Sequence, residues 1–156
     1  MPIPPLAANG LLLPGVHPAT LAEIEARYGW NSHRQALWED GMRFLHALVS
    51  RDLSYPLVIA GSFTTDKVDP PDLDIVLDMT DAEEYHQFKA IKMFRRDRVL
   101  IRESYRVDFC VNMPNNNDFC DFFQYVGEKT ALKKGLNAKD RRGVLRVQSW
   151  ADGLKT

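Results

Sequence analysis

Long apolar runs and cysteines are both scarce in this chain of 156 residues. No apolar run approaches the roughly 18–20 residues that a membrane-spanning helix needs, so we expect no membrane segment. The two cysteines, Cys110 and Cys120, are too few for a secreted scaffold built on disulfides, and we expect reduced thiols. The N-terminus shows no basic segment followed by an apolar stretch, which favours a cytoplasmic location.

An excess of either charge is also missing, since 20 lysines and arginines face 21 acids. A general polyanion-binding protein would be more basic. The charges are nevertheless segregated along the chain. Residues 66–84 contain eight acids and one lysine, residues 88–106 seven basic residues and two acids, and residues 129–146 seven basic residues and one acid. This division is typical of solvated surface elements, or of an acidic metal-binding centre surrounded by cations.

The prolines are concentrated at the N-terminus, where residues 1–19 hold five of the nine. Proline restricts φ and lacks an amide donor, so this stretch is predicted to be an extended arm and not a helix. Its four leucines must cover apolar surface, either on the chain's own domain or on a partner. That partner would be a second copy in a homodimer or a heterologous protein. Residues 20–156 are expected to form a single domain.

Hydrophobic periodicity and capping residues predict an α/β (α+β) domain, a small mixed β-sheet flanked by helices. Helices are predicted from Thr20 to about Gly29, Ser32 to about Asp52, Thr80 to about Arg96, and after Asp118. Strands are predicted at residues 55–60, 73–77 and 143–147, with one or two more within 98–112. The last two helices are expected to bury Ala82, Tyr85, Phe88 and Ile91, and Phe119, Phe122, Phe123 and Val126, respectively.

Two carboxylates stand on one face of the predicted strand at residues 73–77. Side chains alternate between the faces of a strand, so Asp72 and Asp74 share one face while Leu73 points to the core. Neighbouring carboxylates repel unless a cation lies between them. Hard oxygen ligands of this kind suit Mg²⁺ or Mn²⁺.

A later strand supplies a third acid, Asp108, whose neighbours Val107 and Phe109 point to the opposite face. If the two strands are adjacent, Asp108 meets Asp72 and Asp74. Three carboxylates can then hold one or two metal ions and leave coordination positions open for phosphate oxygens. Such an arrangement is typical of phosphoryl and nucleotidyl transfer.

The loop after the first buried strand suits a phosphate. Gly61 has no side chain and allows close approach of an anion to the backbone, and Ser62 offers a hydroxyl and an amide. Thr65 and Lys67 add a hydroxyl and a cation to the same loop. These four residues are therefore candidates for nucleotide binding.

Together these motifs resemble the DNA polymerase β-like nucleotidyltransferase superfamily. A hydrophobic strand is followed by Gly61 and Ser62, then by Asp72-Leu73-Asp74, and later by Val107-Asp108-Phe109. The chain also looks like an uncharacterised bacterial family of small nucleotidyltransferase-like proteins. That second resemblance rests on residues 9–15, 61–67 and 121–124.

The resemblance implies a nucleotidyltransferase-like fold and Mg²⁺-dependent transfer of a nucleoside monophosphate from an NTP to a protein, RNA or small-molecule acceptor, with release of pyrophosphate. Asp72 and Asp74 would bind both metals, and Asp108 would bind the catalytic metal and help to activate the acceptor hydroxyl. Gly61 and Ser62 would hold the triphosphate. The chain departs from many active members at Asp66, which adds negative charge near the expected phosphates.

Two other functions remain open. An inactive member of the same fold would serve as a binding protein, for example an antitoxin-like subunit that uses its surface to hold a partner. Alternatively, it would sense a nucleotide by binding it without turnover.

Overall fold

A computed structural model describes residues 3–154 as a mixed five-stranded β-sheet with helices packed on it. The expected mixed α+β sheet flanked by helices is confirmed at this level. The outermost residues of the predicted arm and domain, 1–2 and 155–156, lie outside the described residues. The strands are β1 (Gly15–Pro18), β2 (Leu57–Ala60), β3 (Leu73–Asp78), β4 (Val107–Asn112) and β5 (Gly143–Val147).

The strand order in the sheet is β1-β5-β2-β3-β4. Strand β2 is antiparallel to both β3 and β5, whereas β3 and β4 are parallel, and so are β1 and β5. The end of β2 and the starts of β3 and β4 therefore share one edge of the sheet. In register, Asp74 lies between Ala60 on one side and Asp108 on the other.

The helices are α1 (Leu21–Tyr28), α2 (Ser32–Ser50), α3 (Glu84–Tyr105), α4 (Phe119–Phe122) and α5 (Glu128–Lys134). Residues of α1, α2 and α3 form the main core with one face of the sheet, as shown by the packing of Phe44 on Phe109. The other face is covered by α4, through Phe119 and Phe123. None of the helices within residues 3–154 is long and apolar enough to cross a membrane.

Helix α3 corrects two predictions. Thr80 does not cap it, because the Thr80 hydroxyl donates to Asp78 at 2.7 Å and the helix begins only at Glu84. The helix also continues to Tyr105, so the strand predicted around residues 98–104 is wrong. No glycine or proline interrupts this stretch, and the helix ends where Arg106 adopts a left-handed conformation with φ of 53°.

The predicted buried faces of α3 and α4 are also partly wrong. Tyr85 and Phe88 are exposed, because the core side of α3 is formed by Ala90, Met93 and Ile101 instead. Phe122 is exposed as well. Helix α4 is a single turn, and only its Phe119 and Phe123 side can reach the sheet.

The N-terminal segment packs on the chain's own domain. Leu11 and Leu12 are buried, and Gly15–Pro18 forms edge strand β1 beside β5. The backbone amide of Gly143 also donates to the Leu12 carbonyl at 2.8 Å. Residues 3–18 thus close one side of the sheet, next to the cleft described below.

Candidate functional site

The site is built around a close contact between Gly61 and Asp74. Strand β2 ends at Ala60, and a 3₁₀ turn over Gly61–Thr64 follows it. Gly61 has φ of +76°, and a Cβ atom at this position would overlap the Asp74 carboxylate. Glycine is therefore required here for two reasons, its left-handed backbone and the space that the carboxylate occupies. The loop and the acid are one structural unit.

The three predicted acids meet at this edge. Asp74 pairs in register with Asp108 on β4, and Asp72 immediately precedes β3. Burial, followed by the charges of Asp72 and Asp108, raises the pKa of Asp74 well above its ordinary value. Burial and the Asp108 charge likewise raise the pKa of Asp72. Negative charge is thus concentrated here at a cost, as expected of a site that receives a cation.

Asp108 is in a different electrostatic situation. Its Oδ1 accepts from Arg98 at 3.0 Å and from Arg102 at 2.9 Å. Burial alone would raise the pKa of Asp108, but the two guanidinium groups outweigh it and hold the pKa below its ordinary value. Both arginines come from α3, where the sequence pattern had predicted a strand, so this pairing could not be anticipated.

A buried arginine organises the loop that follows Gly61. Arg34 is fully buried, and its guanidinium donates to the carbonyls of Phe63 at 2.7 Å, Thr65 at 2.8 Å and Lys67 at 2.6 Å. The Thr65 hydroxyl donates to the Ser62 carbonyl at 2.7 Å and accepts from the Lys67 amide. The Thr65 hydroxyl, which is predicted to contact a nucleotide, therefore also shapes the loop.

Replacing Arg34 by glutamine is expected to destabilise the fold by about 3 kcal/mol or more, because several buried carbonyls lose a charged donor. Urea denaturation measures the change. The matched control is Arg43→Gln, which removes exposed contacts with Asp40, the Ser104 carbonyl and the Tyr105 ring and should cost less, about 1 kcal/mol. Equal losses in the two variants would contradict the role assigned to Arg34.

An open cleft of about 700 Å³ lies at this edge. It is lined by six of the seven predicted site residues, Ser62, Thr65, Lys67, Asp72, Asp74 and Asp108, while Gly61 lies beside it against Asp74. The cleft is also lined by three lysines of α5 that no sequence motif indicates, Lys129, Lys133 and Lys134. The basic stretch 129–146 was the only signal for them.

Asp66 does not oppose an anion in this cleft as strongly as its position suggests. Its Oδ1 lies 3.2 Å from the ammonium of Lys134, which also donates to the carbonyl of Asn9. The lysine therefore balances the negative charge that Asp66 adds to the cleft.

Arg142 is a buried cation near Asp74, and its charge opposes the rise in the pKa of that carboxyl. It is 6% exposed, donates from Nη2 to the Gly61 carbonyl at 2.8 Å, and lines the cleft. Its buried Nε has no hydrogen-bond partner among the residues described. An unsatisfied buried donor is costly in a protein, and a ligand oxygen is one way to satisfy it.

The donor set fits a hard divalent cation in part. Asp72 and Asp74 supply carboxylate oxygens, the ligand type that Mg²⁺ and Mn²⁺ prefer. Within residues 3–154, however, no three acidic, histidine or cysteine side chains are grouped so as to hold one metal ion. Asp108 is engaged with Arg98 and Arg102 instead. A three-carboxylate site would require Asp108 to leave these arginines.

The structure thus defines an α+β protein with a mixed sheet and an acidic, cation-lined cleft at one sheet edge. The chain belongs to DUF6932, a family of unknown function, whose model matches residues 4–148. No curated protein and no solved structure matches the chain.

Proposed function

We propose that this chain is a Mg²⁺-dependent nucleotidyltransferase with a polymerase β-like fold, which transfers a nucleoside monophosphate from an NTP to an acceptor. The observation that carries the proposal is the packing of Asp74 against Gly61, with Asp108 in register beside it. This contact joins a turn suited to phosphate and a pair of carboxylates suited to a metal in one cleft. A glycine turn or a pair of carboxylates is common by itself, whereas the two in contact support nucleotidyl transfer.

The cations of the cleft would bind the triphosphate. Ser62 and Lys67 stand on the loop after β2, while Lys129 and Lys133 stand on α5. Arg142 would direct its unsatisfied Nε to a phosphate oxygen near Asp74. Cations on several elements around the cleft suit a chain of phosphates better than a single small anion.

In the reaction, the acceptor oxygen forms a bond to the α-phosphorus as the bond from that phosphorus to the pyrophosphate oxygen breaks. Asp72 and Asp74 would hold Mg²⁺ or Mn²⁺, and a bound metal of this kind stabilises the charge on the phosphates and activates the attacking hydroxyl. Asp108 would accept the hydrogen bond of the acceptor hydroxyl. The proton leaves to Asp108 or to water, and pyrophosphate leaves with the electron pair.

Nucleotide binding without transfer is the second candidate, and the pairing of Asp108 with Arg98 and Arg102 favours it. If these arginines remained in place, Asp108 could not serve the acceptor. A sensor, or a binding subunit that holds a partner protein, would then use the same cleft without turnover.

Replacing Lys133 by glutamine should weaken NTP binding about tenfold or more, because it removes a charge-assisted contact to phosphate. Lys133 lines the cleft and is exposed, so the fold should be unaffected. Calorimetry with ATP, GTP, CTP and UTP, with and without Mg²⁺, measures the affinity. The control is Lys139→Gln, which removes the same charge at an exposed position that does not line the cleft. Equal affinities in both variants would contradict triphosphate binding in this cleft.

A further inference from the structure

Helix α3 presents an outward stripe of apolar and basic side chains. Phe88, Arg95, Val99 and Arg102 follow one another at intervals of seven, four and three residues, so they share one face of the helix. Phe88 is 64% exposed and Val99 is 66% exposed. Arg95 forms no hydrogen bond or ion pair with any residue in the described part of the chain. We call these four residues together with Arg98 the α3 stripe.

The stripe is basic although the chain is not. Residues 88–106 carry a net charge of +5, seven basic residues less two acids, in a chain whose net charge is −1. On the side facing the end of α2, Arg51, Lys89, Lys92 and Arg96 surround a further cleft that no acid lines. Asp108 and Asp40 offset part of this charge at Arg98, Arg102 and Arg106. Arg95 and the cations of this cleft can still attract a polyanion locally.

The stripe runs to the candidate active site. Arg98 and Arg102 contact Asp108, yet about half of each side chain remains exposed. Each guanidinium has five N–H donors, so both retain donors that face solvent. An anion lying along α3 would reach these donors beside the carboxylate assigned to the acceptor hydroxyl.

We infer that the α3 stripe binds a single-stranded nucleic acid, and that this strand is the acceptor of the transferred nucleotide, an inference that rests on the proposed function. Phosphates of the strand pair with Arg95, Arg98 and Arg102, and a base stacks on Phe88. Exposed aromatic rings interleaved with cations are the features that bind single strands without reading their sequence. These phosphates also compete with Asp108 for Arg98 and Arg102, and where they draw the guanidinium groups away, Asp108 is freed for the acceptor hydroxyl.

Binding is tested with a fluorescein-labelled oligouridine of about 12 nucleotides, a length within the site sizes of single-strand binders. Anisotropy is measured on the full chain without NTP or divalent metal, over a range of salt concentrations. Arg95→Gln should weaken binding and reduce the slope of log K against log salt by about 0.7, the value for one lost phosphate contact to a single strand. Lys139→Gln, a control with the same charge change, should leave the slope unchanged.

Two variants of Phe88 distinguish base stacking from simple apolar contact. Phe88→Ala should weaken oligouridine binding about fivefold or more, and Phe88→Leu should not restore it, because leucine cannot stack on a base. Restoration by leucine would overturn the proposal. So would equal losses in Arg95→Gln and Lys139→Gln, or a dimer in light scattering that Phe88→Ala dissociates, since the face would then bind a second copy of the chain.

The inference and the proposed function can fail separately. Asp74→Asn keeps the α3 stripe, so it should bind oligouridine at least as well as the wild type. Stripe-dependent binding without transfer from any NTP would reject the proposed function and the acceptor role, while the binding surface remains. Transfer to a protein or a small molecule, with no effect of Arg95→Gln on nucleic acid binding, would reject the inference and leave the proposed function.

Discussion

The Asp74→Asn variant is expected to lose nucleotidyl transfer on the order of 10²–10³-fold or more, and also to unfold at a higher temperature than the wild type. The loss of activity follows from the proposed function, in which Asp74 holds the metal beside the turn over Gly61–Thr64. The gain in stability follows because burial and the charges of Asp72 and Asp108 destabilise an ionised Asp74 in the folded chain. A residue that only maintains the fold would show the opposite change in stability.

The gain in stability of the Asp74→Asn variant should depend on pH, and the pKa shift gives its direction. The pKa of Asp74 is raised on folding, so the folded chain binds more protons than the unfolded chain between the two pKa values. The wild type therefore loses stability as the pH rises from about 4, the unfolded pKa of an aspartate, through the folded pKa. Asp74→Asn lacks this loss, and its advantage should be largest at neutral pH and should vanish in acid.

Thermal unfolding of the metal-free proteins at several pH values measures this effect, with Asp121→Asn as an exposed control on α4. If Asp74→Asn unfolds at a lower temperature than the wild type throughout, the carboxylate is structural and its assignment to a metal is contradicted.

The Gly61→Ala variant is expected to lose about 3 kcal/mol or more of unfolding free energy, together with the proposed transfer activity. Alanine at this position meets two obstacles, a φ of +76° and the Asp74 carboxylate. The left-handed backbone alone costs roughly 1–2 kcal/mol, and the overlap adds the remainder. Denaturant unfolding measures the total loss of unfolding free energy from the backbone and the overlap.

Two comparisons separate these contributions. Gly135→Ala has a similar φ of +67° with nothing within 4 Å, so it should show only the backbone cost. In the double variant Gly61→Ala/Asp74→Ala, the new Cβ lies 3.2 Å from the Cβ of residue 74 and no longer meets a carboxylate. The double variant should therefore be more stable than Gly61→Ala alone, a favourable coupling. Additive losses would contradict the close packing of loop and acid.

Strand alternation predicted which faces carry the acids, although not that the two strands are neighbours. The apolar neighbours Leu73 and Phe109 place Asp74 and Asp108 on the opposite face of their strands, and the structure pairs these acids in register. Glycine followed by serine after a buried strand similarly predicted the loop beside them. These features depend on local patterns, which a sequence displays directly.

Other parts of the site depend on contacts between distant segments. Arg34 shapes the loop from a helix about thirty residues away in sequence, and α5 brings Lys133 into the same cleft as the acids. Arg98 and Arg102 reach Asp108 only because α3 extends to Tyr105. The short apolar run at 99–101, between polar residues, fits a strand as well as this helix. Tertiary packing favours the helix over the strand here, and a local sequence pattern does not contain that information.

Transfer of label from NTPs tests the central claim most directly. The folded chain is incubated with Mg²⁺ or Mn²⁺, with each NTP labelled at the α- or the γ-phosphate, and with total RNA or cell lysate as the acceptor. We expect the α-label to appear on an acceptor and the γ-label to leave as pyrophosphate, with no α-labelled product from Asp74→Asn. Failure of the wild-type chain to transfer α-label from any NTP to any acceptor, or equal labelling by Asp74→Asn, would contradict nucleotidyl transfer in this cleft.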